Sequence, residues 1–560
     1  MRSISRRLLK LTLSASLSLP LFGCYESVDE IVYLDQGWND TEQQRAQSYN
    51  MSQGSRLMPY NWLLALNLPY SKISVLDDDV INGLRFLPAT EQADPVLNPD
   101  SLPVGFTKDT DTHGNESFGI TCAACHTAQI NFNRTGIRID GAPAMGDFIG
   151  LVTLLKESLE HTANNTKAFR KFAGALDLTN QSDEETALAA EIEAYIVKFE
   201  DILVRNETLT PSGHGRVDAF GSIANEVFVH DLGEADNFRQ NNAPVSYPFL
   251  WDTPFLERVQ WTGIVENPYG RNVGEVLGVF GEVNLQDPSQ IFSNSVQGLN
   301  LFYLEEMLKD LKAPKWPAEV FGEHDEKSAT LGQIVYNTPD HTGYACVSCH
   351  TLPDEDGLYP LTPAEDNLFG QQFIRTKNIP LAEIGTDTNA ADFIFTPFYA
   401  KTGALASLFG GREYMPANIV QSAVVGLTVK NLFTTLGLTE IEQAAFSGFR
   451  IYAEGKEPAA DVPAYKARPL NGIWATSPYL HNGSVRTLSE LLKPAAEREQ
   501  IFWTGSREFD PEAVGFVSYP ALGHQLFDTT QSGNLAVGHV YGTELPEDEK
   551  IQLLAFLKTL

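Results

Sequence analysis

Two stretches of this sequence pair cysteines with a histidine at one fixed spacing: Cys122-Ala123-Ala124-Cys125-His126 and Cys346-Val347-Ser348-Cys349-His350. Thiols three positions apart on one turn of chain can bond both vinyl groups of a haem. The adjoining histidine then faces the iron as its proximal ligand. A zinc ribbon brings its C-x-x-C pairs within roughly 15–20 residues of each other, far closer than these two. A thioredoxin-like redox pair needs no histidine after it, and both pairs here have one. The spacing therefore predicts two covalently bound haem c groups, attached at Cys122, Cys125, Cys346 and Cys349, with His126 and His350 on the irons. The fifth cysteine is Cys24, so none remains for a structural disulfide.

The elements around these motifs read as a folded, exported chain. Its 560 residues are 43% hydrophobic and 20% charged, enough to bury two or three ordinary cores. The formal net charge of −32 offers no basic field for nucleic acid or anionic lipid headgroups. Arg2, Arg6, Arg7 and Lys10 precede the apolar run Leu11 to Phe22, too short to span a bilayer. Residues 1–23 are thus expected to be a signal peptide. Leu21-Phe22-Gly23-Cys24 resembles a lipobox whose cysteine is lipidated, with Phe22 bulkier than that pattern prefers. Contact with a membrane is then expected only through this anchor, on a periplasmic protein tethered to the outer membrane.

Asp77-Asp78-Asp79, Pro95, Pro99 and Pro103 mark 25–110 as a loop-rich N-terminal extension. Leucines at 3–4 spacing (Leu151, Leu154, Leu155, Leu159) and the set Ile192, Tyr195, Ile196 and Phe199 predict helices between Ala144 and Asn206. Further helices are expected over Asn300 to Leu311 and Glu547 to Leu560. The expected architecture is mainly α, with two cytochrome c-type haem domains (111–320 and 325–560), long loops and a few short strands.

Several other segments are similar to one family. They are Gly213-His214-Gly215-Arg216-Val217-Asp218-Ala219, Tyr247-Pro248-Phe249-Leu250-Trp251-Asp252, Val259-Gln260-Trp261, Arg271-Asn272-Val273-Gly274-Glu275 and Ile384-Gly385-Thr386-Asp387. The most distinctive runs from Arg468-Pro469-Leu470-Asn471 to Pro478-Tyr479-Leu480-His481-Asn482-Gly483-Ser484. With the two haem motifs, these resemble the bacterial dihaem cytochrome c peroxidase/MauG superfamily. The nearest likeness is to its long-chain branch of dihaem rubber oxygenases and dihaem fatty-acid dioxygenases.

The resemblance implies that the N-terminal haem does the chemistry and the C-terminal haem relays electrons. No histidine lies between His126 and His161, so the first iron is expected to stay open. Met145 is a rival sixth ligand and His161 reads as a surface residue. His539 matches the distal histidine of the second haem; His481 competes, although its counterpart in the superfamily orders a loop. Trp261 resembles the inter-haem tryptophan, with Trp251 as the alternative. Glu275 corresponds loosely to a catalytic acid/base that could protonate the leaving oxygen of a peroxide. Val273 or Val276 would form an apolar wall there. Arg271, and less directly Arg216, would pair haem propionates. Thr476, Pro478 and Asn242 match an oxygen-ligand pattern for calcium.

Three functions follow from this reading. One is oxygenation of an unsaturated lipid or isoprenoid. Another is reduction of hydrogen peroxide fed by a small donor cytochrome. The third is a non-enzymatic electron carrier.

Overall fold

In the computed structural model the described residues are 27–38, 41–89, 94–178, 182–456 and 462–560; the segment expected to be a signal peptide, and Cys24, lie outside them. The leucine-rich stretch forms three helices, Phe148–Asn164, Thr166–Ala175 and Ser182–Arg205. Asp147 accepts a hydrogen bond from the Gly150 N–H, and Asn165 accepts from Lys167 and Ala168, so side chains satisfy the first free donors of two of them. Leu151, Leu155, Leu159, Ile192, Phe199 and Ile202 face one core with Trp62 and Phe172. Each such apolar side chain contributes about 1.5–3 kcal/mol.

Strands take a larger share than the expected mainly α chain with a few of them. Among the described residues sixteen short strands form seven small sheets, and the fold is mixed α/β. The first haem motif shows why. The strands Thr127–Phe132 and Thr135–Asp140 follow His126 at once and pair as an antiparallel hairpin. Asn133 and Arg134 turn it with φ of 48° and 68°, the two positive values a tight type I′ turn demands. Without a glycine, that turn carries little signal in the sequence. The N-terminal segment adds Glu30–Tyr33, parallel to Thr135–Asp140, and Met58–Pro59, antiparallel to Glu116–Ile120.

Around the second motif, the helices Glu326–Asn337 and Glu547–Leu557 cross closely. A Cβ at Gly332 would overlap the Gln552 carbonyl, so only glycine fits this crossing. Tyr336, on the first of these helices, donates through its hydroxyl to the His350 carbonyl at 2.6 Å.

The two halves share a core. Trp38, Ile130 and Ile137 pack in one cluster with Trp474, Leu553 and Phe556. The chain also returns late to its beginning. Asn131 donates its N–H to the Arg507 carbonyl at 2.7 Å, and Arg507 donates to the Phe86 carbonyl at 2.9 Å. A further helix, Ala417–Leu436, is long and apolar enough to cross a membrane by length and composition. One stripe of it (Val420, Val424, Leu432) is buried with Tyr269, Val273 and Val276 of the helix Pro268–Gly278.

Candidate functional site

Each C-x-x-C-H motif begins on a single 3-10 turn, Cys122–Ala124 and Cys346–Ser348; the second cysteine caps it, and the histidine that follows donates its N–H to the carbonyl of the first cysteine. None of the four cysteines is paired in a disulfide. Burial pushes the Cys122 thiol up to about 12, and those of Cys125 and Cys346 to about 11. A redox pair depends on a depressed thiol pKa, so these environments oppose the thioredoxin-like alternative.

The second motif opens on an apolar cavity of about 210 Å³, lined by Cys346, Cys349, His350, His539, Leu492 and Leu553 among others. The His350 Nδ1 lies 2.8 Å from the Arg468 carbonyl, a bond that requires Nδ1–H and leaves Nε2 as the ligating nitrogen. His539 stands opposite, with ring centroids 6.4 Å apart. Two imidazoles each about 2 Å from one metal put their centres roughly 6 Å apart, so the pair fits an iron between them. Burial holds His350 below its ordinary range and His539 down to about 3, which keeps both rings neutral and able to ligate. His539 sits at φ 46°. Its N–H donates to Ile384 at 2.9 Å, and Arg498 donates to the carbonyls of Ala536, Gly538 and His539, locking the loop.

His481 lines the same cavity but stacks on Tyr465 at 3.9 Å, and its carbonyl accepts from the N–H and hydroxyl of Ser246. It is placed as a loop-ordering residue. Thr476 and Pro478 are on the cavity wall. Asn242 is held through its main chain, its N–H donating to Asp218 and its carbonyl accepting from Asn389.

The first motif is built differently. His126 is half-buried, and loss of solvent around its ring pushes it down to about 4; the ring packed edge-on against it is Tyr247 at 5.9 Å. Cys122 and His126 line a cavity of about 40 Å³ with Gln53, Asn272, Glu305 and a row of leucines. Met145 lines a separate space with His214 and Pro478, and His161 packs tilted against Tyr70.

Glu275 is an electrostatic neighbour of both Cys122 and Cys125. Gln260 donates to its carboxylate at 2.7 Å, and the Arg271 Nε lies 4.0 Å away. Burial raises the Glu275 pKa, with Arg271 opposing. The side chain still keeps 38% of its surface accessible. That combination fits a carboxyl facing an enclosed space and not bulk water. Arg271 is itself bound to Glu305 at 2.6 Å. Val273 and Val276 do not form the apolar wall expected of them: they are buried on the core face of the helix, and its polar residues Arg271, Asn272 and Glu275 gather near the motif. The core formed with 400–446 decided which face turned inward.

Trp261 lines the cavity of the second motif and donates from Nε1 to the Ser246 carbonyl at 2.7 Å. Its chain neighbour Gln260 reaches Glu275 beside the first motif, so one dipeptide touches both sites. Trp251 is core, fully buried and stacked on Phe249 at 4.5 Å. Arg216 donates to Pro211, Ser212, Asn482 and Asn534, and so ties loops together.

Three residues of the site carried no assigned role in the sequence. Tyr247 packs on His126 and also lines the second cavity. Arg468 accepts from His350 and donates to the Phe249 and Trp251 carbonyls at 3.0 and 2.7 Å. Lys466, on the same cavity, is held by burial well below the ordinary lysine range. The 247–252 and 468–484 segments hold the first two, and that was the available signal.

Residues 464–504, which include the cavity-lining stretch from Tyr465 to Leu492, match the family model of RoxA-like, cytochrome c-like proteins, and this local likeness points to a haem-binding oxidoreductase. The chain belongs to the family of uncharacterized protein y4iJ of Sinorhizobium fredii. It is 31% identical to that protein over 96% of this chain and 94% of the relative. It is also similar to uncharacterized protein y4iM of the same organism, at 25% identity over 55% of this chain and 61% of that one.

Proposed function

We propose that the chain is a dihaem c-type oxidoreductase in which the N-terminal site activates an O–O bond and the C-terminal site relays electrons. The carrying observation is the contrast between the two motifs. His350 faces a second imidazole, whereas His126 has Tyr247 at its edge and the half-buried carboxyl of Glu275 near the motif's cysteines. A haem bound at Cys122, Cys125 and His126 supplies the iron that binds oxygen or peroxide. Around it, Glu275 supplies a carboxyl that can take up and give back a proton, Gln260 fixes the carboxyl's position, and Arg271 sets its charge balance. Trp261 and Tyr247 provide aromatic groups between the sites.

This polar arrangement supports peroxide reduction fed by a small donor cytochrome. Oxygenation of an unsaturated lipid or isoprenoid has its own support, since Leu250, Leu301, Leu304, Leu308 and Leu311 form a hydrocarbon wall beside Cys122. Export, lipidation at Cys24 and a place on the periplasmic side of the outer membrane complete the proposal. The deciding experiment runs two assays on the holoprotein. Turnover of hydrogen peroxide with reduced cytochrome c supports the first reading. Oxygen uptake with oleate or polyisoprene, without an electron donor, supports the second. Silence in both, with two low-spin resonances that survive half-reduction, would leave an electron carrier and overturn the enzyme reading.

A further inference from the structure

Outside the haem sites, one short segment is wound abnormally. The helix Ala219–Asn225 continues as a π-helical turn, Glu226–Asp231, closed by the Leu232 N–H donating to Val227 at 3.0 Å. In an α-helix residues i and i+4 share a face, while i+5 lies well round the cylinder. Bonding from i to i+5 takes roughly 4.4 residues per turn, so i+4 and i+5 straddle residue i. Here those positions are Glu226, His230 and Asp231. Their ligand atoms all lie within 4.8 Å of one another. The unusual winding is what adds the third of them.

The surroundings leave this cluster short of a cation. Asp231 is only 9% exposed, and its Oδ2 has no hydrogen-bond partner. Gln286 donates to the main-chain carbonyls of His230 and Asp231, not to the carboxylate. Arg205 is taken by Glu226 at 2.8 Å and by Asp201, and Glu282 is paired with Arg56 at 3.2 Å. Lys198 donates to the Arg56 carbonyl. Asp201 also brings an oxygen within 3.7 Å of the His230 Nδ1. A buried carboxylate oxygen without a partner is costly unless it is protonated or bound to a metal.

We propose that Glu226, His230 and Asp231 hold a divalent ion of the zinc class. One imidazole and two carboxylates suit zinc, whereas calcium takes six to eight oxygens and magnesium keeps its waters. Tetrahedral ligands about 2.1 Å from a metal stand roughly 3.4 Å apart, so His230, on the half-exposed side, closes inward on binding. The fourth position opens to solvent. The ion pins the π turn against Asp201 of the long helix, and the site is separate from both haem motifs.

The test uses tag-free holoprotein, treated with EDTA, desalted and titrated with zinc chloride. Metal is counted by mass spectrometry against haem iron. One zinc per chain should bind, and the thermal midpoint should rise by about 2 °C or more at saturation. His230→Ala and Asp231→Asn should each weaken zinc binding at least about tenfold, the scale of lost metal-site partners, with the haem spectrum and iron content unchanged. If Asp231→Asn does not fold, the exposed position of His230 lets His230→Ala carry the comparison. Wild-type protein that retains no zinc, or a His230→Ala variant that binds it as well as wild type, overturns the site. So does a wild type indifferent to zinc alongside an Asp231→Asn variant of raised midpoint, which would make Asp231 a neutral acid.

Discussion

The imidazoles of His350 and His539 face each other across 6.4 Å, centroid to centroid, with their planes inclined by 45°. They come from opposite ends of the C-terminal half, one from just after a 3-10 turn and one from a loop clamped by Arg498. Replacing His539 by alanine should therefore open one iron of two. Electron paramagnetic resonance of the oxidised variant should show one low-spin signal replaced by a high-spin one, with the other site untouched. Two unaltered spectra would mean that a different group closes the second iron.

Glu275 gives a prediction in pH. Its raised pKa means that the folded chain binds more protons than the unfolded chain just above the ordinary carboxylate range. Stability should then fall as pH rises through that window, because the native state must give up the extra proton. Thermal midpoints of Glu275→Gln should lack this slope. Peroxide turnover by the same variant should drop about 10²-fold or more, the usual contribution of a positioned acid or base. A variant that keeps both the slope and the turnover removes Glu275 from the mechanism.

Trp261→Phe should slow electron transfer between the sites severalfold while leaving both haem spectra intact. The ring lines the second cavity and its Nε1 is fixed on the Ser246 carbonyl, so phenylalanine loses both the indole and the anchor. Stopped-flow mixing of half-reduced protein with peroxide reads the rate directly. Trp251→Phe is the control, and its effect should fall on stability alone.

Gly332→Ala probes the helix crossing behind the second motif. The added methyl would meet the Gln552 carbonyl, so the helices must part. A loss of about 1–3 kcal/mol is expected, as for overpacked cores, measured by denaturant unfolding. Loosening should show first in the spectrum of the C-terminal haem, since Tyr336 on this helix holds the His350 carbonyl.

Legibility in the sequence followed the range of the interaction. The C-x-x-C-H motifs were readable because one turn of chain contains their whole geometry. The helices of 148–205 were readable because Leu151, Leu155 and Leu159 repeat with the helix itself. The partnership of Gln260 with Glu275 was not, since it depends on a residue at φ 66° reaching across fifteen positions. Val273 and Val276 show the same limit. Periodicity puts them on one face, but only packing against Val420 and Val424 says that this face is core. The hairpin after His126 escaped because Asn133-Arg134 turns without glycine.

The late return of the chain to its beginning has a meaning in time. Arg507 secures the Phe86 carbonyl from 421 residues further along. At about 5–20 residues per second of synthesis, that interval is on the order of 20–80 s. On a growing chain Phe86, and the Cys122 and Cys125 thiols that follow it, therefore exist well before the segment that fixes the Phe86 carbonyl. The contact that ties down the segment around Phe86 is thus one that only the nearly complete chain can make.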